Sequence, residues 1–152
     1  MVAERDPTTG RFVGSGKGTS FESLGQRLDE IGKRGVRNVE KAMRGAAIIA
    51  DQVLVFGTPV DVGIARGGWV VSHGSPNLTP QETPDKEGNT TLARNEREIF
   101  AFKVGRDMFI SNAVFYIVFL DQGTSRQAPR LFSQEAAREA IAYLKRQKYL
   151  AR

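Results

Sequence analysis

The fold turns on one stretch, TPVDVGIARGGW, which runs from Thr58 to Trp69. Pro59 disfavours helical geometry at the residue before it, so a preceding helix must end near Gly57. Gly63 permits a turn conformation that is closed to most other residues, and Asp61 can accept hydrogen bonds from backbone amides in such a turn. The stretch therefore predicts a structural turn between a helix and a strand.

Before this turn, apolar residues recur at steps of three and four from Leu24 to Val53. This spacing predicts one long amphipathic helix, and Thr19 followed by Glu22 can form a capping box at its start. Four glycines lie within it: Gly25, Gly32, Gly35 and Gly45. Each costs about 1 kcal/mol relative to alanine in a helix interior. Such a cost indicates either a kink or the close approach of a neighbouring backbone.

After the turn, the pattern predicts a small sheet. Trp69 to His73 is short and partly β-branched, which favours a strand, and Asp107 to Asn112 predicts a second strand. Leu92 to Val104 fits both a helix face and an alternating strand, and the helix is the preferred interpretation. Ala113 to Asp121 predicts a short helix closed by Gly123. A terminal helix follows, with Ser133 as its predicted N-cap.

Two segments are too polar and too rich in glycine or proline to bury much surface: residues 1–20 and residues 74–91. We interpret the first as a flexible N-terminal arm and the second as a long inserted loop within a single domain of residues 21–152. The predicted fold class is α+β, a small antiparallel sheet packed by one long N-terminal helix and a C-terminal helix. Both segments are expected to order on binding partners, although the alternative of idle surface excursions stays open.

Composition sets limits on function. The chain has no cysteine, so it has no disulfide and no thiol chemistry, which fits a reducing cytoplasm. Its apolar runs are shorter than the ~20 residues of a membrane span, and the N-terminus does not resemble a signal peptide. The net charge is +5, and residues 126–152 carry seven basic side chains against two acidic ones. The basic residues there are Arg126, Arg130, Arg138, Lys145, Arg146, Lys148 and Arg152. Such a terminus is either a solvated face or a contact for phosphate.

Enzyme motifs are incomplete. Gly14 to Thr19 (GSGKGT) is similar to a phosphate-binding loop, but Arg11 stands where that loop needs glycine and Gly18 where it needs Ser or Thr. His73 is the only histidine and the chain has no cysteine, so a zinc site would need carboxylates for most of its ligands. Ser72 and His73 are adjacent on a predicted strand and therefore point to opposite faces.

Asp61 and Asp121 would be the candidate pair of carboxylates for acid-base chemistry. Each lies in a turn context, where Asp normally accepts hydrogen bonds from backbone amides. The sequence thus predicts no catalytic, cofactor-binding or metal-binding residue and no cofactor.

A second block supports a family assignment. It comprises ISNAVFY from Ile110 to Tyr116, LDQGTS from Leu120 to Ser125, and QAPRLF from Gln127 to Phe132. Together with TPVDVG, in the same order and spacing, it resembles the tail-completion and head-tail joining (neck) proteins of long-tailed bacteriophages. The motif positions are Thr58, Pro59, Asp61, Gly63, Arg66, Trp69, Asn112, Gly123, Thr124 and Pro129. The chain departs from the pattern at Val62, at Gly67-Gly68 and in the length of the inserted loop.

The resemblance implies a structural virion protein. Members form a ring, commonly a hexamer, between the head-closure or adaptor layer and the tail tube or tail terminator, and genomic DNA passes through the lumen. It also implies assembly in the host cytoplasm and no membrane partner. Two alternatives remain: a small DNA-binding protein that uses the basic C-terminal helix, and a nucleotide-binding enzyme.

Overall fold

The computed structural model describes residues 4–5, 8, 12–13, 21–122 and 131–147. The chain forms two compact units, Met1–Gly35 and Val36–Arg152. The division falls within a helix. Thr19, Gly123, Thr124 and Pro129 lie outside the described residues, as does the glycine-rich string from Gly14 to Thr19.

The first unit contains two very short strands, β1 (Glu4–Arg5) and β2 (Phe12–Val13), which pair antiparallel with Glu4 opposite Val13. The glycine-rich composition of the predicted arm gave no sign of this pairing. The unit also contains the first turns of α1 (Phe21–Gly57), a helix of 37 residues. One long helix over this range confirms the prediction from apolar spacing.

The second unit is α+β, as predicted. Its elements after α1 are α2 (Ile64–Gly67), β3 (Trp69–His73), α3 (Asn89–Ala101), β4 (Met108–Asn112), α4 (Ile117–Asp121) and α5 (Phe132–Arg146). Strands β3 and β4 form a two-stranded antiparallel sheet in which Trp69 lies opposite Asn112 and His73 opposite Met108. None of the helices within the described ranges is both long enough and apolar enough to cross a bilayer.

The main core brings the end of α1 against α5. Leu54 and Val55 of α1 cluster with Trp69, Phe132 and Ala136, all of them buried. The rings of Trp69 and Phe132 meet edge to face, with centroids 6.1 Å apart and an interplanar angle of 89°. This geometry is a favoured one for aromatic pairs, and it holds β3 against α5.

A second, smaller cluster places α3 against the sheet and α1. Ala47, Val71 and Ile99 are buried together. Helix α3 runs to Ala101, so the ambiguous segment from Leu92 is helical except for its last three residues, and Ile99 within it is 1% exposed. Because α3 already begins at Asn89, the inserted loop ends at Gly88 and not at Thr91.

The predicted N-cap of the terminal helix needs correction. Helix α5 begins at Phe132, with Leu131 at the N-cap position, so Ser133 lies in the first turn and is not the cap. The free amide of Ser133 instead donates to Asp121 Oδ1 at 2.9 Å, and its hydroxyl donates to the other carboxylate oxygen. A carboxylate from α4 thus satisfies an amide that the helix itself leaves unpaired.

The glycines of α1 have different environments. A methyl group at Gly45 would collide with the phenol ring of Tyr143 in α5, so close packing of the two helices explains this glycine. A methyl group at Gly25, Gly32 or Gly35 would meet nothing within 4 Å. Packing within the chain therefore explains one of the four glycines.

Candidate functional site

The motif residues build a hydrogen-bonded joint, which we define as Thr58, Arg66, Trp69 and Asn112. Thr58 is fully buried directly after α1. Its hydroxyl donates to the Leu54 carbonyl at 2.6 Å and accepts from Trp69 Nε1 at 2.8 Å. One hydroxyl therefore joins the last turn of α1 to the first residue of β3, and neither polar group is buried without a partner.

Arg66, on α2, donates to three carbonyl groups, two at the end of α1 and one in the inserted loop. Its guanidinium donates to the carbonyls of Lys86 at 2.6 Å, Thr58 at 3.0 Å and Phe56 at 3.3 Å. Phe56 lies in the last turn of α1, where carbonyls have no partner within the helix. Burial lowers the pKa of Arg66 and the charge of Asp85 opposes that change. A cation at this position also interacts favourably with the C-terminal end of the α1 dipole.

Asn112 connects the second sequence block to the first. Its Nδ2 donates to the Ala65 carbonyl at 2.8 Å, and its Oδ1 accepts from the Val114 amide at 3.1 Å. A methyl group at Gly68 would lie 2.7 Å from Asn112 Oδ1 and 2.8 Å from Val114 Cγ2. Gly68 is thus required by the close approach of Asn112 and Val114.

The turn itself is formed as predicted, but a backbone amide of the inserted loop, and not the Asp61 carboxylate, contacts it. Gly63 has a φ of +91°, in the left-handed region that favours glycine. Asp61 is exposed, and within the described part of the chain its carboxylate has no hydrogen-bond partner. The expectation that Asp61 accepts backbone amides is therefore wrong. The inserted loop supplies the contact instead, because the Asp85 amide donates to the Gly63 carbonyl at 3.1 Å.

Asp85 is the carboxylate that sequence reasoning missed. It accepts hydrogen bonds from the Gly88 amide and from the amide and hydroxyl of Thr91, each at 2.8 Å. Burial alone would raise its pKa, but these hydrogen bonds outweigh burial and hold the pKa of Asp85 below its usual range. No sequence pattern singled it out, because Asp85 stands three residues before the N-cap residue Gly88 and not at the position where a capping carboxylate is expected.

A second polar cluster lies in the core beside β3. Asp51 of α1 is 2% exposed and accepts from Asn95 Nδ2 at 2.8 Å. Asn95 also donates to the Trp69 carbonyl at 3.1 Å, as does Arg94 at 2.6 Å. Burial raises the pKa of Asp51 to about 6, against the opposing effects of the Asn95 hydrogen bond and the Arg94 charge. Asp51 stands on the apolar face of α1 between Ala47 and Leu54, a position at which an acidic residue signals a buried partner.

The residues considered for catalysis are engaged separately. Ser72 Oγ donates to the Ser75 carbonyl at 2.8 Å, while His73 Nε2 lies 3.0 Å from the carbonyl oxygen of Glu98. Among the residues that the structure describes, no group of three or more His, Asp or Glu side chains is arranged to hold a metal ion. Asp121 is occupied with Ser133, as described above. The chemistry that this arrangement offers is therefore the anchoring of backbone groups.

The basic C-terminal residues are in part accounted for within α5. Arg138 Nη1 lies 2.9 Å from Glu135 Oε2, one turn before it. Lys145 and Arg146 lie in the last turn, where cations interact favourably with the helix dipole. Arg126, Arg130, Lys148 and Arg152 lie outside the described residues.

Comparison with known proteins gives no relative: no family model, no curated protein and no solved structure matches this chain.

Proposed function

We propose that this protein is a non-enzymatic structural subunit of a tailed-bacteriophage virion, a tail-completion or neck protein that forms part of a ring at the head-tail junction. In this role it connects the head-closure or adaptor layer to the tail tube or its terminator, and genomic DNA passes through the ring. Its partners are further copies of itself, in a ring that we expect to be a hexamer, and the proteins of the two adjoining layers.

The observation that carries the proposal is the meeting of the two sequence blocks. Asn112, from the second block, donates to the carbonyl of Ala65, from the first, and lies opposite Trp69 in the sheet. Matches that arise by chance in two distant blocks have no reason to be neighbours in space. Their convergence on one joint supports the resemblance that each block carries only weakly alone.

The nature of the joint supports a structural role over a catalytic one. The Thr58 hydroxyl, the two terminal nitrogens of Arg66 and the side-chain amide of Asn112 are bonded to backbone carbonyls or amides. A nucleophile and its base need a mutual hydrogen bond, and a buried, backbone-bonded side chain is withdrawn from that use. The joint holds α1, α2 and both sheet strands in one geometry, as a subunit that transmits position between two neighbours requires.

The test is genetic and uses a phage that encodes this chain. Without the protein, we expect DNA-filled heads and finished tails to accumulate separately, because the layer that joins them is missing. Supplying the wild-type chain from a plasmid should restore joined, infectious particles. A normal yield of infectious particles without the protein would overturn the proposal.

The competing function, DNA binding through α5, predicts a different result in solution. Binding of free duplex DNA to the purified chain should be weak and should fade as salt rises, because only phosphate contacts are available to dispersed lysines and arginines. Tight, sequence-selective binding at physiological salt would favour the DNA-binding alternative. Measurable affinity for ATP would favour the nucleotide-binding one.

A further inference from the structure

The start of α1 presents an apolar face to solvent. Phe21, Leu24, Leu28 and Ile31 are 94%, 45%, 60% and 63% exposed, and we call them the apolar stripe. Their steps of three, four and three residues place Phe21 and Leu28 at the a positions and Leu24 and Ile31 at the d positions of a heptad. Large apolar side chains that recur in this register on an exposed helix indicate a surface that another helix covers.

Three glycines lie on the same side of the helix as the stripe. At 3.6 residues per turn, Gly25, Gly32 and Gly35 fall among or beside the apolar positions, and the charged residues of this segment occupy the rest of the circumference. Space is open around all three glycines, in contrast to Gly45, which faces Tyr143. Glycine disfavours a helix, so its repeated use here fits the close approach of a backbone from outside the chain.

The two edges of the stripe carry opposite charge. Arg27 and Arg34 occupy the g positions on one edge. On the other edge the e positions are Gly25 and Gly32, and the nearest charged residues behind them are Glu22 and Asp29 at b positions. Asp29 also pairs with Lys33 at 2.7 Å, but both side chains are mostly exposed and such a pair holds the carboxylate only weakly.

This charge arrangement selects the partner and its direction. When two such helices pack parallel, the g edge of one meets the e edge of the other, so Arg27 reaches Asp29 of the second copy across Gly32. When they pack antiparallel, like edges meet, and the arginines of the two copies face one another. Opposite charges attract only in the first arrangement.

From these observations we infer that the apolar stripe is the contact surface for further copies of this chain, with their α1 helices parallel and in register. Four large side chains from each of two helices bury an area on the order of 1,000 Å², the lower limit for a specific interface. Association is therefore expected to depend on protein concentration. The inference deepens the proposed function and rests on it in expecting further copies as partners. It is tested on the purified chain, so its failure can be told apart from a failure of the genetic test above.

The first test measures association of the full chain by sedimentation velocity across a range of concentrations. We expect the wild-type chain to associate as concentration rises, and Leu28→Ser to weaken the association about 10- to 100-fold. Phe100→Ser is the matched control, because Phe100 is 56% exposed on α3 and is not part of the stripe. A wild-type chain that stays monomeric at concentrations on the order of 100 μM, or equal effects of the two variants, would overturn the inference.

The second test reads the direction of the helices, and the absence of natural cysteine makes it unambiguous. In a parallel pair in register, position 24 faces its own copy, so Leu24→Cys should give a disulfide-linked dimer under oxidised glutathione, whereas Phe100→Cys should not. A mixture of Phe21→Cys and Ile31→Cys chains reports the opposite direction, because a disulfide between the two different chains forms only in an antiparallel pair, where an a position lies opposite a d position. A cross-link in that mixture without one in Leu24→Cys would contradict the parallel arrangement.

Discussion

Among single residues, Asp51 is the one whose ionisation state matters most to the folded chain. Its carboxyl group is buried beside Asn95, and burial raises its pKa from 3.8 to about 6. The folded state therefore holds the proton more tightly than the unfolded state does. The free energy of unfolding should fall as pH rises through the interval between these two values and level off above it. A shift of this size corresponds to about 3 kcal/mol.

Asp51→Asn should remove this pH dependence while keeping an oxygen that accepts from Asn95 Nδ2. We expect the substitution to increase the free energy of unfolding by about 1–3 kcal/mol at pH 7.5 and to change it little at pH 4. Urea unfolding at the two pH values measures both quantities, and Asp61→Asn at an exposed site is the control. An equal change at both pH values would mean that ionisation of Asp51 does not carry the effect.

Gly63 has a positive φ and is closely packed, whereas Gly74 has a positive φ and open space around it. Their φ angles are +91° and +80°. A methyl group at Gly63 would lie 2.7 Å from the Lys86 nitrogen, whereas one at Gly74 meets nothing within 4 Å. Gly74→Ala should cost about 1–2 kcal/mol from backbone strain alone, and Gly63→Ala more than about 3 kcal/mol from strain and overpacking together. Denaturant unfolding of the two variants measures both costs, and their difference gives the contribution of the close packing at Gly63. Equal costs would contradict such a contribution.

At the scale of elements, the beginning of α3 depends on Asp85. Asp85→Ala should lower the free energy of unfolding by about 1–2 kcal/mol, because it leaves the amides of Gly88 and Thr91 without their acceptor. Asp61→Ala, at the exposed motif carboxylate, should change stability by less than about 0.5 kcal/mol. Thermal unfolding of the two variants compares them. A larger cost at Asp61 would restore the role that its motif position suggested.

The low pKa of Asp85 also predicts how its contribution to stability changes with pH. Its hydrogen bonds favour the ionised form, so their contribution is present above the usual carboxylate range and is lost as pH falls through the pKa of the folded state. The loss of stability in Asp85→Ala should therefore shrink in acid. This trend is opposite to that expected for Asp51.

Elements that depend on local patterns were predictable from the sequence, and contacts between distant segments were not. Apolar spacing and Pro59 predicted a helix ending near Gly57, and the short segments from Trp69 to His73 and from Asp107 to Asn112 were predicted as the two sheet strands. The beginning of α5 was misplaced because the group that satisfies its first amides is Asp121, from another helix. Asp85 was missed for the same reason, since it acts on the turn at Gly63 only after the loop has folded back.

At the scale of the whole molecule, the inserted loop is attached to the fold at two places. Near its start, Ser111 Oγ donates to the Asn77 carbonyl at 3.0 Å and accepts from the Asn77 amide at 3.1 Å. Near its end, Asp85 and Lys86 bind the turn at Gly63 and the guanidinium of Arg66. The segment between them, residues 78–84, is mostly exposed. Any contact that the loop makes with another protein is therefore expected at this tip.

Protease sensitivity should differ between the exposed tip of the loop and its attached end. Glu82 lies in the exposed tip, so the Glu-specific endoproteinase should cut there early in the folded chain. Lys86 is exposed as well, but its carbonyl is held by Arg66 at 2.6 Å, which should slow trypsin at that bond. Digestion of the purified chain followed by mass spectrometry gives the order of cleavage. Equal rates at the two bonds would show that the second attachment does not restrain the loop.

The tip is also where the proposed neck function makes its most specific demand, because a ring between two assemblies must hold a partner on each side. Replacing residues 78–82 by a Gly-Ser segment of equal length keeps both attachments, so stability should change by less than about 0.5 kcal/mol. We expect the replacement to lower the yield of joined, infectious particles and to leave filled heads apart from tails. The matched control is Glu96→Ala with Arg97→Ala, two exposed residues of α3 outside the loop. A normal particle yield from the folded replacement would make the tip an idle surface excursion and would place the contacts with neighbouring proteins elsewhere on the subunit.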